Sequence, residues 1–407
     1  MTKEKSTVPR LRFPGFTDAW KQRKLGEVAI SFDYGLNSAA TEYDGENKYL
    51  RITDIDDDSR EFNISNLTSP EINLFGLDEY RLSIGDILFA RTGASVGKSY
   101  IYRSVDGKVY FAGFLIRVKI KDTFNPDFVF QNTLTSNYER FISITSMRSG
   151  QPGVNAQEYS NYEIMFPTLS EQEAIGSFFS DLDQLITLHQ RKLDDVKELK
   201  KALLQKMFPK GNGNDFPELR FPEFTDAWKQ RKLGEVGTVA MCRRIFKEQT
   251  SEIGEIPFYK IGTFGETPDA YITRELFEEY KKKYSYPNKG DILISASGSI
   301  GRTVEYSGQD EYFQDSNIVW LQPRKNLDNS FLKQFYSIVK WSGIEGSTIK
   351  RLYNGNILNT EIILPTLPEQ EAIGSFFSDL DQLITLHQRQ LNHLKLLKKA
   401  LLQQMFI

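Results

Sequence analysis

Cysteine occurs once in 407 residues, at Cys242, and histidine three times, at His189, His387 and His393. One thiol cannot close an internal disulfide or build a cysteine zinc site, which points to a reducing, cytoplasmic setting. Three histidines leave little for an imidazole site, so no metal is expected on this chain. No run approaches about 18 uninterrupted apolar residues, and residues 1–10 lack an apolar signal core. Neither a membrane span nor secretion is expected. An excess of positive charge is missing as well. The 51 Lys+Arg against 54 Asp+Glu leave a net of −3, so any polyanion must meet a local patch. What is present is 40% hydrophobic and 13% aromatic, with 29 Phe and 19 Tyr. That composition builds folded cores, and the length fits two or three domains of about 150 residues.

The sequence is written twice. Residues 11–28 read LRFPGFTDAWKQRKLGEV, and residues 219–236 repeat them with one change, Glu223 for Gly15. A second block, EQEAIGSFFSDLDQLITLHQR, is identical at 171–191 and 369–389, after the lead-ins FPTLS and LPTLP. Between the blocks the halves diverge, but Gly85-Asp86-Ile87-Leu88 matches Gly290-Asp291-Ile292-Leu293, and Gly93 and Gly97 align with Gly298 and Gly301. A period near 200 residues with two copies means duplicated domains rather than a solenoid.

The second block opens a helix in each half. From residue 171 to 207 apolar or semi-apolar residues recur in alternating steps of three and four, with no proline, which marks a helical stripe. Ser170 before Glu173 resembles a capping box. Acids fill the first half of the stretch and lysines the second, matching the helix dipole. Some 37 residues make a rod of roughly 55 Å, too long for the core helix of a small domain. Two such rods would bury matching stripes against each other, through Ile175, Phe178, Leu182, Leu185 and Leu193 on one and Ile373, Phe376, Leu380, Leu383 and Leu391 on the other. Phe179, Ile186, Leu188 and Leu204, with Phe377, Ile384, Leu386, Leu396 and Leu402, lie beside the stripe and are expected to receive partner helices. His189 and His387 fall on the stripe as packed or partner-facing groups.

The expected architecture is mixed α/β (α+β), a pseudo-two-fold internal repeat. A globular domain over 1–169 is followed by a long helix over 170–207, a Pro/Gly linker over 208–218, a second domain over 219–366 and a second long helix over 367–407. Within the domains, 109–120, 292–296 and 318–321 read as strands, and 127–136 and 330–341 as helices.

Catalytic motifs are approached and missed. Gly93-Ala94-Ser95-Val96-Gly97-Lys98-Ser99 is one residue short of a phosphate-binding P-loop, and Gly298-Ser299-Ile300-Gly301-Arg302-Thr303 is shorter still. Asn125-Pro126-Asp127-Phe128 lacks the second proline of the amino-methyltransferase loop and reads as a helix N-cap. Asp269 with Glu279 and Lys281 has loose nuclease spacing, but 275–283 is a charged helical pattern. No catalytic residue is expected.

Cations are more informative. Residues 81–121 hold eight Lys and Arg against Asp86 and Asp106, inside a domain that is net acidic. The matched loops 148–153 and 347–351 carry Arg, Gln, Ser and Thr, the residue types that read base edges and phosphates. The candidate DNA-contacting residues are Arg91, Thr92, Lys98, Arg103, Arg148 and Gln151 in the first half. In the second they are Arg243, Arg244, Lys260, Ser297, Arg302, Lys350 and Arg351.

The duplicated frames, the Gly-Asp-Ile-Leu turn and the Pro-x-Leu-x-Glu-Gln lead-in to each rod resemble the DNA-specificity subunit of type I restriction–modification enzymes, over essentially the whole chain. The resemblance implies two target-recognition domains held apart by an antiparallel helix pair. It implies double-stranded DNA as ligand and no cofactor on this chain. Two modification subunits would carry S-adenosylmethionine-dependent adenine methylation, and restriction subunits ATP- and Mg-dependent translocation and cleavage. The competing reading is a protein–protein scaffold on a helical strut without nucleic acid.

Overall fold

In the computed structural model residues 7–147, 151–209, 216–343 and 350–407 are described. They form two compact units, Met1–Arg191 with Gln388–Ile407, and Lys192–His387. The division falls inside both long helices, Leu169–Met207 and Leu367–Met405. Each helix has 39 residues and runs about 58 Å.

The two domains share one sheet plan. In the first unit the order is Ala29–Tyr34, Leu115–Ile120, Ile87–Ala90, Ser99–Ile101, all antiparallel. In the second it is Gly237–Met241, Ile318–Pro323, Ile292–Ser295, Thr303–Glu305. Each domain adds one parallel pair, Lys48–Leu50 with Val109–Phe111 and Ile256–Tyr259 with Tyr312–Phe313. The stretch 109–120 therefore holds two strands, broken at Ala112–Gly113–Phe114. The Gly-Asp-Ile-Leu segments lead into interior strands, Ile87–Ala90 and Ile292–Ser295, whose residues are all buried, which explains their unbroken apolar runs. Gly93, Gly97, Gly298 and Gly301 all have positive φ, so the glycines turn the hairpin back. Cys242 is buried, and burial pushes its thiol up to about 12, which makes it inert.

The repeated residues meet one another. Lys21–Lys24 pairs with Glu163–Phe166, and Lys229–Lys232 with Glu361–Leu364, in the same register. Arg12 grips Glu171 through two bonds of 2.7 Å, and Arg220 grips Glu369 in the same way. Gln172 accepts the Asn125 N–H at 3.1 Å and donates to the Pro167 carbonyl at 3.0 Å. Gln370 accepts from Asp328 and donates to Pro365. Asn125 and Asp328 in turn cap the helices Pro126–Asn132 and Asn329–Ile338. Gly176 and Gly374 let these caps close on the rods, because an added Cβ would sit 2.4 Å from Asn125 Oδ1 and 1.8 Å from Ser330 Oγ. The duplicated frame is thus the joint between domain and rod. Its first helical residue is Leu169, and Thr168 accepts the Glu171 and Gln172 amides. Ser170 consequently lies inside the helix and is not its cap.

Each unit contains the start of one long helix and the end of the other, packed antiparallel. In the first, Asp183 binds Lys398 at 2.5 Å, and Phe179 meets Phe406 at 5.8 Å between ring centroids. In the second, Lys200 binds Asp381 at 2.5 Å. The buried stripe is rotated from the expected one. Ile175, Leu182, Leu193, Ile373 and Leu391 are buried, but Leu185 is 41% exposed and Leu383 38%. Phe178 and Phe376 are half-buried and lean edge-on against Phe13 and Phe221; Leu380 is half-buried too. Phe179, Ile186, Phe377, Leu204 and Leu402, expected beside the stripe, are core. The reason is that each rod end is covered on two flanks, by its own domain and by the opposite helix, so a single-seam pattern mispositions the buried face.

Candidate nucleic-acid interface

At one end of the first domain's sheet, strand Ala29–Tyr34 stops, Leu115–Ile120 begins and Ile87–Ala90 runs out, since Tyr34 faces Ile116 and Ala90 faces Leu115. Arg91 is the next residue, and its guanidinium lies 5.1 Å from the Tyr34 ring centroid and 6.0 Å from that of Phe114. Both rings are exposed. Stacking on aromatic faces orients a guanidinium without consuming its hydrogen-bond donors. The loop that runs from Gln151 to Val154 closes on this edge. The Gly93 N–H donates to the Pro152 carbonyl at 3.1 Å, and the Val154 N–H donates to the Arg91 carbonyl at 2.9 Å. Thr92 and Gly153 form a β-bridge, and exposed Gln151 places its amide nitrogen 3.4 Å from where a Cβ on Gly93 would stand.

The second domain repeats this join with other side chains. The Leu352 N–H donates to the Ala296 carbonyl at 2.8 Å, and Ser297 bridges Arg351. Asn317 occupies the place of Phe114, because the Ala296 and Arg91 amides donate to their respective carbonyls. Asn317 Oδ1 accepts from Ser297 Oγ at 2.8 Å and from the Arg351 guanidinium at 3.3 Å. The same backbone therefore carries Arg, Thr and Gln on an aromatic seat in one domain, and Ser, Asn and Arg in the other.

Other candidates go elsewhere. Lys98 binds Asp57 at 2.6 Å, Lys260 binds Asp269 at 2.9 Å, Arg302 binds Glu266 at 3.1 Å, and Arg103 pairs with Asp127. Arg117 is buried between Asp33 and Asp86, and Lys108 meets Glu46. The run 81–121 is therefore not an open basic patch; acids distant in sequence fold onto it. Arg243 and Arg244 are exposed, with guanidinium groups over Tyr284 at 5.2 Å and Phe246 at 5.5 Å. Lys350 is exposed, and Arg148 lies outside the described residues. Tyr34, Phe114 and Asn317 escaped sequence reasoning because nothing periodic marks a strand-end residue.

The catalytic look-alikes serve the backbone. The amides of Gly93, Val96, Gly97 and Lys98 are bonded to nearby carbonyls, so these four are not free to cradle a phosphate. Glu279 and Lys281 sit on helix Arg274–Lys283, where Glu279 pairs with Lys283 one turn on. Among the described residues no group of three or more His, Cys, Asp or Glu is placed to hold a metal ion. Among the described residues no helix is long and apolar enough to cross a membrane.

Comparison with known proteins places this geometry. The model of the type I restriction modification DNA specificity domain matches residues 17–198 and again 225–396. A protein of Haemophilus influenzae named as a type I restriction enzyme specificity subunit is 38% identical over 298 residues, covering 73% of this chain and 75% of that one. A type I restriction enzyme specificity subunit of Methanocaldococcus jannaschii is 23% identical over 333 residues, 78% of this chain and 77% of that one. The crystal structure of a type I restriction–modification S subunit from M. genitalium superposes with a TM-score of 0.68 at 15% identity, over 98% of this chain and 99% of that one. That last likeness is one of fold.

Proposed function

Because the chain belongs to the family of type I restriction–modification DNA-specificity subunits, we propose that each of its two domains reads one half of a bipartite, asymmetric site in double-stranded DNA. The chain is non-catalytic, as specificity subunits are, and directs adenine methylation and restriction by other subunits. The observation that carries the reading is the matched join, Thr92 with Gly153 and Ser297 with Arg351. One backbone frame presents two different sets of base-reading side chains. Arg91 suits a guanine edge and Gln151 an adenine edge; Ser297, Asn317 and Arg351 offer the second domain a different donor and acceptor pattern. Unlike readers on like frames give an asymmetric target.

Two modification subunits holding S-adenosylmethionine, and restriction subunits using ATP and Mg, complete the proposed enzyme. The exposed leucines of the rods, Leu185, Leu188 and Leu199 on one and Leu383, Leu386, Leu396 and Leu397 on the other, offer apolar surface for modification-subunit helices. With a net charge of −3, the chain alone should bind DNA weakly, and the complex should lose affinity steeply with salt.

The test is methylome sequencing of cells carrying the complex with Arg91→Ala or Arg351→Ala. Each substitution should cost about 10- to 100-fold in methylation, the range of one lost base contact, and relax only the half-site of its own domain. Methylation unchanged in both would favour the scaffold reading. The rods are proposed to set the spacer. Inserting one helical turn into both should lengthen the unread spacer and leave both half-sites as they were; altered half-sites with an unchanged spacer would exclude the ruler.

A further inference from the structure

Two exposed aromatic residues, one in each domain, lie beside the proposed reading edges. In the first domain, Phe75 is 93% exposed. Its turn is built to hold it out: the Phe75 N–H donates to Asn73 Oδ1 at 3.0 Å, and Gly76 takes positive φ. Leu74, one residue before, packs into the small cluster of Leu36, Tyr49, Tyr110 and Ala112. Leu36 is two residues beyond Tyr34 and Ala112 two residues before Phe114, the rings that seat Arg91. The turn is therefore anchored at the same end of the sheet.

The second domain solves the same problem with different residues. Tyr34 and Met241 end the equivalent strands, facing Ile116 and Val319, so Arg243 stands where Leu36 does. A tyrosine hydroxyl holds the carbonyl of each, Tyr49 on Leu36 at 2.9 Å and Tyr312 on Arg243 at 3.0 Å. The Arg243 guanidinium lies over Tyr284, which is 43% exposed at the end of helix Arg274–Lys283. Phe75 and Tyr284 both fall between the domain's edge strand and its Gly-Asp-Ile-Leu strand. An unsupported apolar ring held on a tight turn contributes nothing to its own fold, and leaving it in water is unfavourable.

We propose that Phe75 and Tyr284 are base-contacting specificity determinants, one per domain, that stack on bases of the half-site or wedge between them. The inference rests on the DNA-reading function above. Aromatic stacking is sequence-tolerant alone, but beside Arg91 and Gln151, or Arg243, it fixes how deeply those donors reach. Neither ring carries a charge, so the ionic part of binding is left to other groups.

The experiment uses the assembled methyltransferase complex and a duplex carrying its mapped methylation site. Binding is measured across a salt series for Phe75→Ala, Tyr284→Ala, Tyr284→Phe, Arg91→Ala and Arg351→Ala. Phe75→Ala and Tyr284→Ala should each lose about tenfold or more in affinity, with the slope of log affinity on log salt unchanged. Tyr284→Phe should bind as the native complex does, because the ring is kept. Thermal melting should be unchanged for Phe75→Ala. If the two alanine variants bind normally while Arg91→Ala and Arg351→Ala are impaired, the stacking role is wrong and the reading edges stand. A reduced salt slope would make these residues phosphate-positioning elements and overturn it as well. Normal binding by all five variants would remove the reading edges together with the stacking role.

Discussion

Replacing Arg12 by alanine is expected to destabilise the first unit by about 3–5 kcal/mol, and Arg220→Ala the second by a similar amount. Glu171 and Glu369 have 0% of their side chains exposed. Each accepts two guanidinium bonds of 2.7 Å, and Glu369 also accepts from Trp228 Nε1 at 3.2 Å. The carboxylate bonds hold the Arg12 and Arg220 guanidinium pKa values above their ordinary level, so both arginines stay charged. Removing the arginine leaves a buried charge with no neutralising partner, the costliest kind of deletion. Lysine should not rescue either site, because an ammonium cannot span both carboxylate oxygens. Denaturant melts monitored by amide exchange within each unit would check this. A loss below about 1 kcal/mol in both variants, the value of an exposed pair, would mean the joint is not held by this bond.

Phe406→Ala should cost the first unit about 3–5 kcal/mol. The Phe406 ring centroid lies 5.3 Å from Phe128, 5.8 Å from Phe179 and 6.4 Å from Trp20. It follows directly on the second long helix and is set into the first domain's core, near the Leu11 N–H that donates to the Gln404 carbonyl. The second unit mirrors the arrangement. Phe208 stacks on Phe331 at 5.1 Å and meets Trp228 edge-on at 6.1 Å, and the Leu219 N–H donates to the Lys206 carbonyl. Phe208→Ala should therefore act on the second unit. Amide exchange should rise first between residues 7 and 191 in one variant and between 216 and 387 in the other. The same rise in both variants would show that the helix ends are not local clamps.

The misplaced expectations have physical reasons. Eight cations within residues 81–121 read as a patch only while their partners are invisible. Asp33, Asp57, Glu46 and Asp127 come from other parts of the chain, and folding brings each to a cation. Arg91 keeps its donors free because aromatic rings, not carboxylates, flank it. The helical stripe erred by one position, putting Leu185 inside and Phe179 outside. Heptad logic assumes one neighbour, whereas Phe179 is buried by the tail of the opposite helix at a rod end already covered by its domain.

The duplicated frame, the two long helices and the mixed domain that precedes each of them were all legible in the sequence. Each is a property of local spacing or literal repetition, and local spacing survives without coordinates. Which cations are free, which leucines stay wet, and how strand-end residues such as Arg91, Phe114, Asn317 and Arg351 gather at one sheet edge were decided only by the tertiary structure. Those outcomes depend on pairs that folding brings together, most of them far apart in the chain, and sequence periodicity carries no information about whether a given acid, ring or helix end will arrive beside a given side chain.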